Sequence, residues 1–331
     1  MSRKLTILLL LLGAAALAES ALDVLTQALV TEPDVENYVG EKTIILYNGA
    51  QAEAMEVRVS FEAGGATRTD YLSPPAMRER VVIDDGEDLF SYDPRLEVTV
   101  HSNSPRMLDD RLSDTERRDL IADNYILELE PNQTVAGRDA YRVEVTSRHN
   151  ATPHRILWID SQNYLVLQSK EECNDSAANT GFSWIEFNVE FSPDYFSEGQ
   201  FTGTVVEEAP QVSKTAGNAL PEELGFVPVV PDKLPGGFIL VETKLGYRAS
   251  GQYAAHLSYT DGLEGLSVFE ESHEGSLKGQ EIALGDAKAR LSKSANYSVL
   301  QWRSGGITFT LVGQLTNYGL YQVAAYFLTG K

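Results

Sequence analysis

The chain has a single cysteine, Cys173, among 331 residues. No intramolecular disulfide can form, so packing alone must hold the fold. Basic residues are scarce: 27 Lys and Arg stand against 48 Asp and Glu, for a formal charge of -21. A field of that sign repels nucleic acid and anionic membrane surfaces and favours solubility or a basic partner. Enzyme signatures are missing as well. There is no Gly-x-Ser-x-Gly elbow, no His-Glu-x-x-His, no phosphate-binding glycine loop and no close cysteine pair. No nucleophile, base and orienting group can be assembled from motifs, which leaves a non-enzymatic protein without cofactor or metal as the expectation.

The apolar run Leu5 to Leu12 is too short to span a hydrocarbon core about 30 Å thick. Basic Arg3 and Lys4 precede it and Ala16-Leu-Ala18 follows it, the three parts of a cleaved export signal. With no cysteine near the cleavage point, lipid modification there is excluded by chemistry. Loss of Arg3 and Lys4 changes the balance to 25 minus 48, or -23. The remaining 313 residues (331 minus 18) are expected to be soluble, and their number suits two domains. Four Asn-x-Ser/Thr sequons, at Asn132, Asn150, Asn174 and Asn296, matter only in a host that glycosylates them.

After the signal, Ser20 and Asp23 have capping-box spacing, and Leu22, Leu25 and Leu29 share one face of a helix that Pro33 ends. Short strands separated by turn residues follow: Thr43 to Tyr47, Met55 to Phe61, Thr67 to Leu72, Arg80 to Ile83, Leu89 to Tyr92 and Leu96 to His101. Ser113 with Glu116 opens a second helix carrying Leu120 and Ile121. Strands resume at Tyr125 to Leu129, Ala140 to Thr146, His154 to Ile159, Tyr164 to Ser169 and Ser183 to Phe191. In the last, Ile185, Phe187, Val189 and Phe191 alternate with Trp184, Glu186, Asn188 and Glu190. Residues 203–220 have few large apolar groups and no period, as in a linker. Pro221, Pro228, Pro231 and Pro235 mark an irregular entry into a second β-rich unit. That unit has strands at Tyr297 to Trp302 and Ile307 to Val312, and a closing helix near Asn317 with Leu320, Val323, Ala324 and Phe327 at helical spacing, stopped by Gly330.

The few candidates for chemistry have plainer explanations. Asp84-Asp-Gly-Glu-Asp88 gathers carboxylates around a glycine but lacks calcium-loop spacing, and Asp-Gly suits a hairpin turn. Of the five histidines, only His149 and His154 are close in sequence, and two potential ligands flanking a turn do not make a metal site. Cys173 sits among Glu171, Glu172 and Asp175, which disfavour its thiolate. Ala255 to Tyr259 and Leu266 to Phe269 form a hairpin around a Thr-Asp-Gly turn, with Asp261-Gly262 as residues that tolerate positive φ.

The ordered strings Leu234-Pro-Gly-Gly-Phe238, Tyr259-Thr-Asp-Gly-Leu263 and Ser267-Val-Phe269 resemble the C-terminal domain of the MucB/RseB family of periplasmic sigma-factor regulators. Val135-Ala-Gly-Arg-Asp-Ala-Tyr-Arg-Val-Glu-Val145, Leu157-Trp-Ile-Asp160, Tyr164-Leu-Val-Leu-Gln-Ser169, Tyr38-Val-Gly40 and Asp88-Leu-Phe-Ser-Tyr-Asp-Pro94 resemble the LolA/LppX superfamily of lipoprotein and lipid carriers, to which the first half of that family is similar. The resemblance spans most of residues 25 to 328.

It implies an α+β, mostly antiparallel fold: a LolA-like curved half-barrel sheet with a helical lid over residues 19–202, a linker at 203–220, and a smaller β-rich C-terminal domain with a terminal helix at 221–331. It further implies a non-catalytic extracytoplasmic protein that binds the exported domain of a membrane anti-sigma factor and responds to lipid or lipoprotein in an apolar groove. A periplasmic carrier of lipid or lipoprotein is the alternative. The strand alternation permits Trp158, Ile185, Phe187, Val189 and Phe191 to line that groove, although an apolar strand face is also how plain core is built. Expression in an exporting host tests the leader directly: the N-terminal sequence of the exported protein is expected to begin at Glu19, and retention of Arg3 and Lys4 would overturn the cleavage.

Overall fold

The computed structural model describes residues 19–30, 35–104, 112–207, 213–215, 224–247, 253–272, 276–285, 287–294 and 297–329. The expected leader, Pro33, Pro221, His273, Asn296 and Gly330 lie outside them.

The first half begins with α1 (Ala21–Val30) and six strands, β1 (Asn37–Asn48), β2 (Gln51–Glu62), β3 (Thr67–Ser73), β4 (Val81–Asp84), β5 (Asp88–Asp93) and β6 (Val98–Asn103). After α2 (Asp114–Asn124) come β7 (Tyr125–Val135), β8 (Arg138–Ser147), β9 (His154–Asp160), β10 (Val166–Cys173), β11 (Ser176–Phe187) and a short β12 (Thr204–Glu207). They form one open sheet in the order β12-β6-β5-β4-β3-β2-β1-β11-β10-β9-β8-β7. Only β12, parallel to β6, departs from antiparallel pairing in this sheet.

Both helices start as their sequences require. Ser20 Oγ accepts from Asp23 N at 3.1 Å, and the Asp23 carboxylate returns to Ser20 N. Ser113 and Glu116 complete a reciprocal capping box on α2, which satisfies amides that a helix leaves unpaired at its start. Arg118 on α2 reaches Asp23 at 2.6 Å and ties the pair together. Their apolar sides then close over one end of the half-barrel, where Val24, Leu25 and Ile121 pack on Val143, Val145, Leu157 and Ile159.

The second half contains β13 (Ser213–Thr215), β14 (Lys233–Leu234), β15 (Phe238–Tyr247), β16 (Tyr253–Thr260), β17 (Gly265–Glu271), β18 (Gln280–Leu284), β19 (Ala287–Lys293), β20 (Ser298–Ser304), β21 (Ile307–Gly313) and α3 (Asn317–Thr329). Its sheet runs β13-β15-β16-β17-β21-β20-β19-β18, with β14 also beside β15. The helical spacing at the C-terminus is realised in full. Leu320, Val323, Ala324 and Phe327 are all buried, in a core where Trp302 stacks on Phe309 at 5.2 Å between ring centroids. No helix among the described residues is long and apolar enough to cross a membrane.

Several strand boundaries differ from expectation, and the backbone shows why. The strand expected over Ser183 to Phe191 covers Ser176–Phe187 instead, because Asn188 adopts φ +58° and leaves the extended region. Tyr164, expected to start a strand, has φ +59°, and β10 begins at Val166. Leu96 lies in the turn before β6 and is 70% exposed. Within the segment read as a linker, β12 pairs with β6 and β13 pairs with β15, so each sheet gains an edge strand from it.

The turns that drew attention as candidate sites are built from their own polar groups. Asp84 Oδ1 accepts from Gly86 N, and Asp85 Oδ1 accepts from Glu87 N and Asp88 N, each at 2.8–2.9 Å. The β16–β17 turn takes four residues, Asp261 to Glu264, and only Gly262 has positive φ, at +104°. Asp261 contributes through its carboxylate, which accepts from Leu263 N and Glu264 N.

Candidate functional site

Three of the five expected groove residues come together. Pairing of β1 with β11 sets Phe187 opposite Tyr38 and Ile185 opposite Gly40. Trp158, Ile185 and Phe187 are each partly buried against a cluster containing Tyr38, Phe61, Leu167 and Phe182. Tyr38 stacks on Phe61 at 5.3 Å and tilts towards Phe187 at 6.0 Å, while the Arg138 guanidinium lies 4.5 Å over the Phe187 ring. Gly40 is required here, because a Cβ at that position would meet the Trp184 carbonyl and the Phe182 ring within 3 Å.

The other two lie beyond the strand. Val189 N donates to Asn37 Oδ1 at 2.7 Å. Phe191 stacks on Tyr195 at 4.7 Å and meets Phe196 edge-on, in an aromatic brace that Tyr195 fixes to the sheet through Ser60 Oγ and the Arg68 guanidinium. The burial alternation therefore runs on past the strand, but into a separate cluster. Sequence reasoning missed Lys42, whose ammonium lies 4.3 Å from the Phe182 ring centroid and is pulled down to about 8 by burial. A lone lysine between Glu41 and Thr43 gave no sign of facing inward.

The larger finding is the junction between the two halves. Asn124, the last residue of α2, donates through Nδ2 to Gly237 O at 3.2 Å and Asp261 O at 2.8 Å, and its Oδ1 accepts from His149 Nε2 at 3.1 Å. The next residue, Tyr125, donates its hydroxyl to Asp261 Oδ2 at 2.5 Å. Burial pushes the Tyr125 phenol well above its ordinary value and raises the Asp261 carboxyl as well. The two glycines are there because nothing larger fits. A Cβ on Gly237, at φ +85°, would lie 1.9 Å from Asn124 Oδ1, and one on Gly262 would meet Leu120 and Ile121 at about 3 Å. The strings Leu234 to Phe238 and Tyr259 to Leu263 thus form the second half's contact with α2.

Around this centre, Arg155 on β9 bridges Glu171 on β10, at 2.6 Å, and Glu264 in the β16–β17 turn. Its guanidinium faces Glu264 Oε1 in ion-pair contact. Gln314 donates to Glu171. Thr316 N donates to Ala151 O at 2.9 Å, Asn317 N to Asn174 Oδ1 at 2.8 Å, and the Cys173 thiol points at Leu315 O. That thiol is pushed up to about 11, chiefly by burial, so it is no nucleophile at neutral pH. His149 and His154, close in sequence, take different partners, Asn124 and Glu144.

A curved open sheet is lidded at one end by two helices and joined through that lid to a second sheet. Residues 18–179 match the family model of the MucB/RseB N-terminal domain. The complex structure of Pseudomonas aeruginosa MucA/MucB is similar over 92% of this chain and 96% of that one, at 20% identity and a TM-score of 0.56. A crystal structure of MucB in complex with MucA(peri) gives the same values, and one of MucB gives 19% identity and a TM-score of 0.50 over the same shares. No curated protein matches the sequence. The N-terminal half of the chain, residues 18–179, belongs to the MucB/RseB N-terminal domain family.

Gly237→Ala is expected to cost about 1–3 kcal/mol through its positive φ and the clash with Asn124. Asn124→Ala should cost a similar amount, about 1–3 kcal/mol, by leaving two carbonyls unsatisfied. Because both changes break one contact, urea unfolding of the double variant should lose less than the sum. Strict additivity would show that Asn124 and Gly237 act separately.

Proposed function

We propose that this protein is an extracytoplasmic negative regulator of a sigma-factor envelope-stress pathway, which binds the exported domain of a membrane anti-sigma factor. The observation that carries the reading is the extent of the likeness: both sheets, and 92% of the chain, follow the fold of MucB in structures that contain MucA. Binding is non-catalytic in this reading. We further propose that the apolar cluster of Tyr38, Phe61, Trp158, Phe182, Ile185 and Phe187 receives an acyl chain of lipid or lipoprotein. Entry of such a chain supplies affinity through burial, and differential affinity for one lid position couples ligand to partner release. A carrier of lipid or lipoprotein is the weaker reading, since it gives the second sheet no task.

The test is titration of the mature chain, from Glu19 onward, with the exported domain of a membrane anti-sigma factor from the same organism, followed by calorimetry. A saturable 1:1 complex is expected. Absence of binding, with acyl-chain transfer to an acceptor protein instead, would establish the carrier.

Phe187→Asp is expected to weaken partner or lipid binding about tenfold or more, the equivalent of roughly 1.4 kcal/mol. Unchanged affinity in a variant with native circular dichroism would remove Phe187 from the site.

A further inference from the structure

We propose that the junction between the two halves is a proton-sensitive latch: a proton taken up at Glu264 tightens the contact, and its release as pH rises loosens it. The latch does not depend on the partner proposed above.

Glu264 is 6% exposed and Asp261, three residues earlier in the same turn, is 1% exposed. Both face the first half. From β9 comes Arg155, the cation in contact with Glu264, and it is shared with Glu171 from β10. From the end of α2 and the start of β7 come Asn124 and the Tyr125 hydroxyl, with His149 behind Asn124. From the end of β10 comes the neutral Cys173 thiol, and from the loop after β21 comes the Gln314 amide. One guanidinium therefore faces the carboxyl groups of Glu171, Asp261 and Glu264, a surplus of two negative charges if all three ionise.

Asp261 is compensated by its own turn amides and by Tyr125. Glu171 is compensated by Arg155 and Gln314. Glu264 shares the single guanidinium of Arg155 with Glu171, so it is the group whose charge the junction supports least. Burial, opposed by Arg155 and reinforced by Asp261 and Glu171, raises its carboxyl to about 7.

An opened junction returns Glu264 to water and to its ordinary value of 4.5. The closed form thus binds the proton more tightly. Its advantage is complete below about 4.5, declines as pH rises, and is gone above about 7. Within that window the opening constant should rise by up to about tenfold per pH unit.

Hydrogen exchange of the Thr316 and Asn317 amides reads the opening directly, because their acceptors, Ala151 O and Asn174 Oδ1, lie across the junction. A local reading is needed because Glu270, buried in the second sheet beside Val229, is also raised to about 7 and affects global stability. After correction for intrinsic exchange, protection at Thr316 and Asn317 is expected to fall between pH 5 and 7. Glu264→Gln should abolish that fall. Glu171→Gln, which removes a neighbouring charge, should move it to lower pH. A flat wild-type profile, or the same slope in Glu264→Gln, would overturn the latch. If Glu264→Gln fails to fold, an unmoved midpoint in Glu171→Gln would overturn it equally.

Discussion

The side-chain amide of Asn124 is the contact on which the relation of the two halves depends. It is 5% exposed, so each of its polar atoms must find a protein partner. It does so only if the loop at Gly237, the turn at Asp261 and the ring of His149 converge on it. Each of those groups belongs to a different part of the chain. Moving the second sheet by an ångström breaks at least one bond and leaves a buried group unpaired, at a cost of about 1–3 kcal/mol each. The missing Cβ atoms at Gly237 and Gly262 are the steric half of the same constraint, since they let the two loops approach α2 closely enough to be bonded at all.

Much of the fold was legible in the sequence because its signals are local. Capping boxes at Ser20 and Ser113 need only a side chain three residues from its partner, and both formed. The face of α3 was likewise set by spacing alone. Strand ends were less legible. The alternation from Ile185 to Phe191 correctly marks which side chains are partly buried, yet the strand stops at Phe187 because Asn188 turns left-handed. Burial periodicity reports which side of the chain faces protein, not whether the backbone is still paired. The short strands β12 and β13 were invisible for a different reason: an edge strand is stabilised by the sheet it joins, and Thr204–Glu207 has no pattern of its own.

The site was legible in the same uneven way. Trp158, Ile185 and Phe187 meet at one cluster, but Tyr38 and Phe61, which help to complete it, come from strands distant in sequence, and neither they nor Phe182 on β11 carry a motif for a ligand. The strings around Gly237 and Gly262 were recognisable as belonging to a family without revealing their task. A glycine in a sequence does not say what its absent Cβ would have struck. Only the fold, by placing Asn124 1.9 Å from that point, turns a family resemblance into a physical requirement.

The position of this contact also bears on how the molecule can respond to a ligand. Asn124 closes the helix α2, and Ile121, one turn earlier, packs with α1 over the half-barrel sheet. Leu120 and Ile121 are also the residues that Gly262 approaches. The same turn of helix is therefore lid to the first sheet and footing for the second. Interiors packed at this density do not deform smoothly. A displacement of α2 large enough to admit a chain beneath it must move Asn124 away from Gly237 O, Asp261 O or His149, so the lid and the second sheet share one equilibrium. Coupling between the lid and the C-terminal half needs no relay of intermediate residues, because Ile121 and Asn124 stand on the same eleven-residue helix.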